Sequence, residues 1–451
     1  MATTRLAYFA LFAQQHRGQE GAGLAGCDGR SASVEKDAGL VSAVFTPERL
    51  QHLAGSTHVI GHTRYSTTGG MSDRNLQPFL AETRYGPLAV AHNGNLINSG
   101  ELRSELLNRG YPLAASSDSE VFLLMLASAT GSSWEERIER TMPAWVGAYS
   151  LVILAEDRIV GVRDPWGFRP LAVGRLPDGG HAIASETCAL RTIGCVDVRE
   201  VAPGEVVTLH AGQLVTRRPL VSVGRQARCT FEFVYFARPD SHWDGQSVHA
   251  VRQRLGQELA RESSVRADVV IAVPDSSTPA AIGYAAVAGI PFNDGFIKNR
   301  YIGRTFIEPT AALRRQGVAL KFNALTENLV GRRVVMIDDS IVRGTTAGPL
   351  VQLVRDAGAT EVHVRVTCPA IVNPCYMGID MGHEDDLVSR QHGEESLARL
   401  IGADSVRFLS LEGMRRSIGS SNGYCDACFT GDYPIDIGRA TSKTAFDGSV
   451  R

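Results

Sequence analysis

The chain has 451 residues, 44% of them hydrophobic and 21% charged, with a formal net charge of −2. That length exceeds one ordinary domain and predicts two or three, with ample apolar material for a globular core. The near-neutral balance argues against nucleic acid or an acidic membrane surface as a partner.

The apolar run LAYFALFA (6–13) reads as the buried part of an opening helix. It is too short to cross a bilayer, and no small-residue cleavage pattern follows it, so the expected location is the cytoplasm, with no membrane partner. It leads straight into QHRGQE (15–20). Up to about Thr216 the chain is β-rich, with strands predicted at GPLAVAH (86–92), GAYSLVILAE (147–156) and EVVTLH (205–210). Helices are fewer, one near 101–108 and one near 119–128. This pattern predicts an α+β sandwich of β-sheets covered by helices. From about Ser247 the texture becomes strand–helix alternation: VRQRLGQELARE, DVVIAVPDSS, PAAIGYAAVAG, RRVVMIDDS, AGPLVQLVRDAGA, EVHVRVTC. Alternation of this kind predicts an α/β domain on a parallel sheet. The expected division is 1–222 and 223–438, with a loose polar tail at 439–451.

The most specific stretch is VVMIDDSIVRGTT (334–346). A buried strand turns through Asp338 and Asp339 into a hydroxyl- and glycine-bearing loop, and a helix follows from about Thr346. Ligands bind beyond the carboxyl ends of strands in such sheets, and loop N–H groups with a helix N-terminus suit a phosphate monoester. Two adjacent carboxylates would repel that phosphate, so they belong against neutral hydroxyls or a cation. AVPDSS (272–277) is a second strand-end turn, in which Ser276 could meet pyrophosphate or Mg²⁺. The segment 298–321 carries six basic residues (Lys298, Arg300, Arg304, Arg314, Arg315 and Lys321) against one acid, Glu308. Beside a pyrophosphate it reads as a lid that closes and excludes water.

The string 334–346 resembles the phosphoribosyl pyrophosphate (PRPP) motif of the type I phosphoribosyltransferases. That resemblance implies that Asp338 and Asp339 hold the ribose hydroxyls. It further implies that Ser340, Arg343, Gly344, Thr345 and Thr346 hold the 5′-phosphate. Lys298, Arg304 and Lys321 are the expected lid contacts, and Ser276, Asp338 and Asp339 the expected Mg²⁺ site.

If the nucleophile is neutral ammonia, the first half has to supply it. Free glutamine is a zwitterion, so a site for it needs a cation, an acceptor for the α-ammonium and donors for the oxyanion formed at the amide carbon. Candidates are Arg64 in GHTRYSTTGG, Asn93 and Gly94 in AHNGNL, and Asp118 in SSDSE. Taken in order, QHRGQE, HTRYSTTG, AHNGN, SDSE, RDPWGFRPL, ASET and APGE resemble the class II (N-terminal-nucleophile) glutamine amidotransferase domain. The resemblance implies that Arg64 and Asp118 grip the glutamine backbone, that Asn93 and Gly94 form the oxyanion hole, and that Arg17 supports the pocket. The two domains together are similar to the glutamine phosphoribosylpyrophosphate amidotransferase family, from about Arg5 to Ile437. Family likeness implies production of 5-phosphoribosylamine at the opening of purine biosynthesis, feedback by purine nucleotides, and a homo-oligomer, typically a tetramer.

There are eight cysteines. In a large chain without a secretory signal a disulfide framework is not expected. Cys425 and Cys428 form CDAC, a spacing that fits half a zinc site, a redox pair or chance, although no βαβ context supports a thioredoxin-type pair. Resemblance to the iron–sulfur branch of the family implies that Cys229, Cys375, Cys425 and Cys428 hold a [4Fe–4S] cluster with a structural or oxygen-sensing role. Cys27, Cys188, Cys195 and Cys368 read as packed side chains.

One feature departs from the family. Class II glutaminases use an N-terminal cysteine whose α-amine is its base, and in this family it begins a strand of the form CGVFG upstream of QHRGQ. That strand does not occur here, and Cys27 follows QHRGQE, so its α-amine is not free while Arg17 is present. The retained Arg64, Asn93 and Asp118 predict that the native start lies upstream. The alternative is an ammonia-only enzyme, or a non-catalytic nucleotide-binding or iron–sulfur sensor protein.

Overall fold

The opening apolar run does form a helix, α1 (Ala2–Ala13). The computed structural model describes residues 2–66, 69–70, 72–218, 223–299, 320–420, 422–438, 440 and 445–446. After α1 and a short turn through Gln15–Arg17 come β1 (Gly21–Cys27), β2 (Ala32–Ala38) and β3 (His58–Arg64), which form an antiparallel sheet in the order β2-β1-β3. A six-stranded sheet follows in the order β12-β11-β7-β6-β5-β4. Its members are β4 (Phe79–Thr83), β5 (Gly86–Leu96), β6 (Gly147–Ala155), β7 (Arg158–Arg163), β11 (Val206–His210) and β12 (Gln213–Arg217). A third sheet, β10-β8-β9, is built from β8 (Ala172–Arg175), β9 (His181–Ala184) and β10 (Val196–Glu200).

Strand alternation explains how these sheets stack. On β5, Leu88 and Val90 face the helices Ser99–Asn108 and Ser119–Ser128 and share a core with Phe122, Trp145 and Tyr149. Ala89 and Ala91 face the other way, onto Ala25, Cys27 and Ile60 of the first sheet. Val173 of the third sheet, with Leu171 and Val201 flanking its strands, packs on Val207 and Leu209 of the same large sheet. The two small sheets therefore share one layer. Above them lies α1, with Leu11 over Ala22 and Leu24 and Ala13 over Ala172 and Ala184. The arrangement is helix, sheet, sheet, helix, as predicted.

Strand β1 was not legible as a strand. Its sequence GAGLAGC has no polar alternation because every residue is buried, and glycine is a poor strand former. A Cβ on Gly23 would lie 2.1 Å from the Gln77 carbonyl oxygen, so close packing requires the small residue there.

The second half carries a parallel sheet ordered β16-β19-β20-β21, comprising β16 (Val269–Ala272), β19 (Arg333–Asp338), β20 (Glu361–Val366) and β21 (Ser405–Phe408). β21 is a fourth strand beyond the three read from sequence. Two-residue β13 (Arg228–Cys229) and β22 (Tyr424–Cys425) pair in parallel and tie the end of this half to its start. Smaller pairs join β14 (His242–Trp243) to β15 (Gln246–Ser247) and β17 (Phe296–Lys298) to β18 (Phe322–Ala324). Among the described residues no helix is long and apolar enough to cross a membrane.

Candidate active site

Arg64, Asn93, Gly94 and Asp118 meet in one small pocket of about 80 Å³. Arg64 ends β3 and is buried; its Nη1 donates to the Asn75 carbonyl at 2.8 Å and its Nη2 to Gly69 and Gly70 at 3.2 Å each. Glu20, from QHRGQE, stands 3.8 Å from Arg64 Nε and accepts from the N–H and hydroxyl of Ser66. Asp118 precedes the helix Ser119–Ser128 and accepts from the Leu96 N–H at 2.9 Å. The Nδ2 of Asn93 is a buried donor with no partner among the described residues. Gly94 has φ +151°, and a Cβ there would fall 1.9 Å from the Ala148 carbonyl oxygen, so only glycine fits. His62 and His92 also line the pocket. Burial, with the positive charge of Arg64 next, pushes the His62 pKa down to about 3, and burial likewise lowers that of His92. Both imidazoles are therefore neutral at pH 7, leaving a guanidinium and a carboxylate as the formal charges offered to a ligand.

The β1–β3 register sets Gly21 beside Arg64 and Cys27 beside His58. Six residues of strand, about 20 Å, separate Cys27 from the Arg64 end, and no cysteine lines the pocket.

A larger cavity of about 480 Å³ lies beyond the carboxyl ends of β16 and β19. It gathers Ser276, Lys298, Lys321, Asp338, Asp339, Ser340, Arg343, Gly344, Thr345 and Thr346. Arg304 lies outside the described residues, as does most of the expected lid. Ser276 and Ser340 donate to the two oxygens of Asp339 at 2.5 and 2.6 Å. Lys298 pairs with Asp275 at 2.5 Å. Burial pushes the Asp338 pKa well up, and the Asp339 charge adds to it; burial also raises Asp339. Two adjacent buried carboxylates of this kind call for a cation or hydroxyl ligand. Gly344, at φ +69°, makes the left-handed turn from the loop into the helix Ala347–Asp356.

The two cavities share a wall, because Tyr65 and Phe236 line both. Their rings meet edge to face with centroids 5.9 Å apart. Phe236 closes a π-helical turn, Glu232–Phe236, which is held by charges of which the sequence had singled out only Arg17. Arg17 lines the small pocket, but its guanidinium is directed to Glu186 at 2.6 Å and Glu232 at 2.9 Å. Arg169 adds a contact to Glu232 at 3.3 Å and donates to the Met377 carbonyl. Glu186, in ASET, also accepts from Ser241 and from the Arg238 N–H. Arg252 donates to the Phe233 and Ala237 carbonyls and so fixes the turn from the other side. Arg163 and Asp164 of RDPWGFRPL fold their own loop: Arg163 donates to the Arg169, Val201 and Gly167 carbonyls, and Asp164 accepts from Gly167 and Phe168.

Cys229 and Cys425 are register partners across β13 and β22, and Val372 and Asn373, just before Cys375, donate to the Cys428 carbonyl. Burial pushes the Cys229 thiol up to about 12. Burial, then the neighbouring Cys375, Cys425 and Cys229, pushes Cys428 well up. Among the described residues no group of three or more His, Cys, Asp or Glu side chains is set to hold a single metal ion.

Residues 62–192 match the family model described as a glutamine amidotransferase domain. Amidophosphoribosyltransferase of Synechococcus elongatus is 48% identical over 442 residues, covering 96% of this chain and 89% of that protein. The Archaeoglobus fulgidus protein of the same name is 47% identical, covering 96% and 95%. The solved glutamine PRPP amidotransferase from B. subtilis, complexed with ADP and GMP, is 43% identical with a TM-score of 0.90, covering 98% of this chain and 97% of that one. A second solved structure, described as the allosteric regulatory enzyme of purine biosynthesis, has a TM-score of 0.91 at 43% identity. This chain belongs to the amidophosphoribosyltransferase family, glycosyltransferases that carry a glutamine amidotransferase domain.

Proposed function

We propose that the small pocket binds glutamine, the large cavity binds PRPP, and ammonia passes between them to give 5-phosphoribosylamine. The observation that carries this reading is the shared wall: one aromatic pair, Tyr65 and Phe236, separates the two cavities. Arg64 takes the α-carboxylate of glutamine and Asp118 its α-ammonium. Attack by a cysteine thiolate on the side-chain amide carbon creates an oxyanion, which Asn93 Nδ2 and the Gly94 N–H stabilise. Collapse expels ammonia, and water then releases glutamate. None of the chain's eight cysteines lines the pocket. Arg17 acts as a support, since its guanidinium is spent on Glu186 and Glu232.

In the large cavity Asp338 and Asp339 accept from the ribose hydroxyls, and Ser340, Arg343, Gly344, Thr345 and Thr346 cradle the 5′-phosphate. Lys298 and Lys321, which line the cavity, meet the pyrophosphate, and Arg304 is the third cation of the proposed lid. The ammonia lone pair forms the bond to C1 as the C1–oxygen bond breaks and pyrophosphate departs with its electrons. Ser276, Asp338 and Asp339 would hold Mg²⁺, which would supply positive charge to that leaving group; the raised pKa values of the buried pair fit a cation there. Cys229, Cys375, Cys425 and Cys428 hold a [4Fe–4S] cluster that joins the start of the second domain to its end. What supports the reading is that these thiols lie close enough to raise one another's pKa, after burial. The domains divide at 222/223, the tail begins at 439, and the protein works in the cytoplasm as a homo-oligomer under purine-nucleotide feedback.

Pyrophosphate release from PRPP with ammonia tests the acceptor site. Asp338→Asn combined with Asp339→Asn is expected to nearly abolish it, and rates equal to the parent would refute the assignment. Arg64→Ala, made in a chain competent for glutamine, is expected to impair glutamine use while sparing the ammonia reaction.

A further inference from the structure

The segment CYMGIDM (375–381) belongs to the second half of the chain but packs against the first. The Met377 side chain is buried with Ile97, Ala148 and Phe168. Two carbonyls of the segment accept from first-domain side chains. Asn95 Nδ2 donates to the Tyr376 carbonyl at 2.9 Å, and Arg169 Nε donates to the Met377 carbonyl at 3.1 Å. The Met377 N–H donates to Cys375 Sγ at 3.3 Å, which folds the segment on itself. Gly378 comes next, at φ +92°, and a Cβ on it would lie 2.7 Å from the Gly94 carbonyl carbon and 3.0 Å from the Gly94 Cα. Glycine is required there twice over, by the left-handed backbone and by the contact. Gly378 lines the small pocket, and Ile379, Asp380 and Met381 go on to line the large cavity.

Gly94 is therefore held between two backbones. On one side stands the Ala148 carbonyl of β6, 1.9 Å from where a Cβ of Gly94 would fall, and on the other stands Gly378. Its φ of +151° is far from the value of about −140° that an antiparallel ladder favours, so the ladder alone does not set it. Asn93 and Asn95 flank it two positions apart on β5, hence on one face of that strand. They are used differently. Asn93 lines the small pocket and its Nδ2 has no partner among the described residues, whereas Asn95 lies outside the pocket and spends its Nδ2 on Tyr376. Arg169 is buried and is itself anchored, with Nη1 3.3 Å from Glu232, so a fixed guanidinium holds Met377.

We propose that residues 376–378 form the back of the oxyanion hole, and that Asn95 and Arg169 are its positioning residues. By clamping the Tyr376 and Met377 carbonyls they hold Gly378 against Gly94, which keeps the Gly94 N–H and the Asn93 amide aimed at one point. Neither positioning residue lines the pocket. The oxyanion hole is thus built from both halves of the chain. The proposal rests on reading the small pocket as a glutamine site. An oxyanion donor works through its placement, and its contact strengthens only as charge develops on the substrate oxygen. Arg64 on β3 and Asp118 before its helix grip the charged ends of glutamine from other elements. Loosening the clamp therefore costs transition-state stabilisation and leaves substrate binding in place.

The test is steady-state kinetics of Asn95→Leu in a chain competent for glutamine. The kcat with glutamine is expected to fall about tenfold to hundredfold. The KM for glutamine and the rate of ammonia-dependent synthesis are expected to stay within about twofold of the parent. Arg169→Lys, which keeps a cation for Glu232 but withdraws the donor from Met377, is expected to show the same split. Should Asn95→Leu fail to fold, Asn95→Asp carries the same expectation, because it keeps the size and sets an acceptor against the Tyr376 carbonyl. An unchanged kcat with glutamine overturns the proposal and leaves the glutamine reading standing. A loss carried by KM alone, or equal losses with glutamine and ammonia, also overturns it, since either places the effect outside the oxyanion hole. A parent that releases no ammonia from glutamine sinks the glutamine reading itself, and the proposal with it.

Discussion

Asn93 and Gly94 show how narrow the tolerance is at single residues. Asn93 carries a buried donor without a partner, and Gly94 leaves no room for a methyl group against Ala148. The domain-two loop presses on the same spot: a Cβ on Gly378 would lie 2.7 Å from the Gly94 carbonyl carbon. Gly94→Ala is therefore expected to displace β5 from β6 and lower the glutamine-dependent rate by about 10²–10³-fold, the scale of losing one oxyanion donor. Ammonia-dependent synthesis should persist, and steady-state rates with the two nitrogen sources check this. Equal losses with both sources would mean that the substitution disrupts the whole chain. The residues that orient the site were less legible than those that touch it. Glu20 and Glu186 stood within matched motifs with no role attached, and Glu232 was unmarked. Their function depends on partners brought from far along the chain.

At the scale of elements, the helices Val248–Glu262 and Thr278–Ala288 cross at backbone contact. A Cβ on Gly256 would sit 1.8 Å from the Ala280 carbonyl oxygen, and one on Gly283 would sit 2.1 Å from that of Gln253. Gly256→Ala improves helix propensity by about 1 kcal/mol, yet overpacking costs about 1–3 kcal/mol or more where backbone must move. The net expectation is a lower midpoint in urea unfolding of the second domain, and a higher midpoint would contradict the close crossing. The short β13–β22 pair is another contact between distant segments, bringing Cys229 beside Cys425. If the four thiols hold a cluster, aerobically bleached protein should lose its broad visible absorption and unfold at lower denaturant than the brown form. Colourless protein of undiminished stability after anaerobic purification would remove the cluster from consideration.

Across the whole molecule, buried charge sets the pH response. The folded-state pKa of His62, about 3, lies below the usual histidine value of about 6.5. A depressed pKa contributes stability that is fully present above the unfolded value and is lost as pH falls toward the folded one. The first domain is therefore expected to weaken from about pH 6.5 downward. Glu186 is held below the ordinary carboxylate range: burial opposes this, but His16 and Arg17 outweigh it. Its contribution fades only below about pH 4.5, in the same direction. Denaturation midpoints measured from pH 8 to pH 4 check the slope, and His62→Gln should flatten its upper part. A midpoint that rises on acidification would refute the assignment.

The chemical inventory and the order of the layers were readable in the sequence because both are local. DDSIVRGTT ends a buried strand, and its carboxylates and loop donors lie within nine residues; strand–helix alternation by itself implies a parallel sheet. Only the tertiary structure decided what those parts do together. Arg17 finds Glu186 and Glu232 across separations of 169 and 215 residues, and Tyr65 meets Phe236 from the other domain to make one wall of two cavities. Strand β1 escaped notice because burial on both faces erased the alternation that marks a strand. Periodicity reports one exposed face and one buried face, whereas pairing between distant segments leaves no local pattern to read.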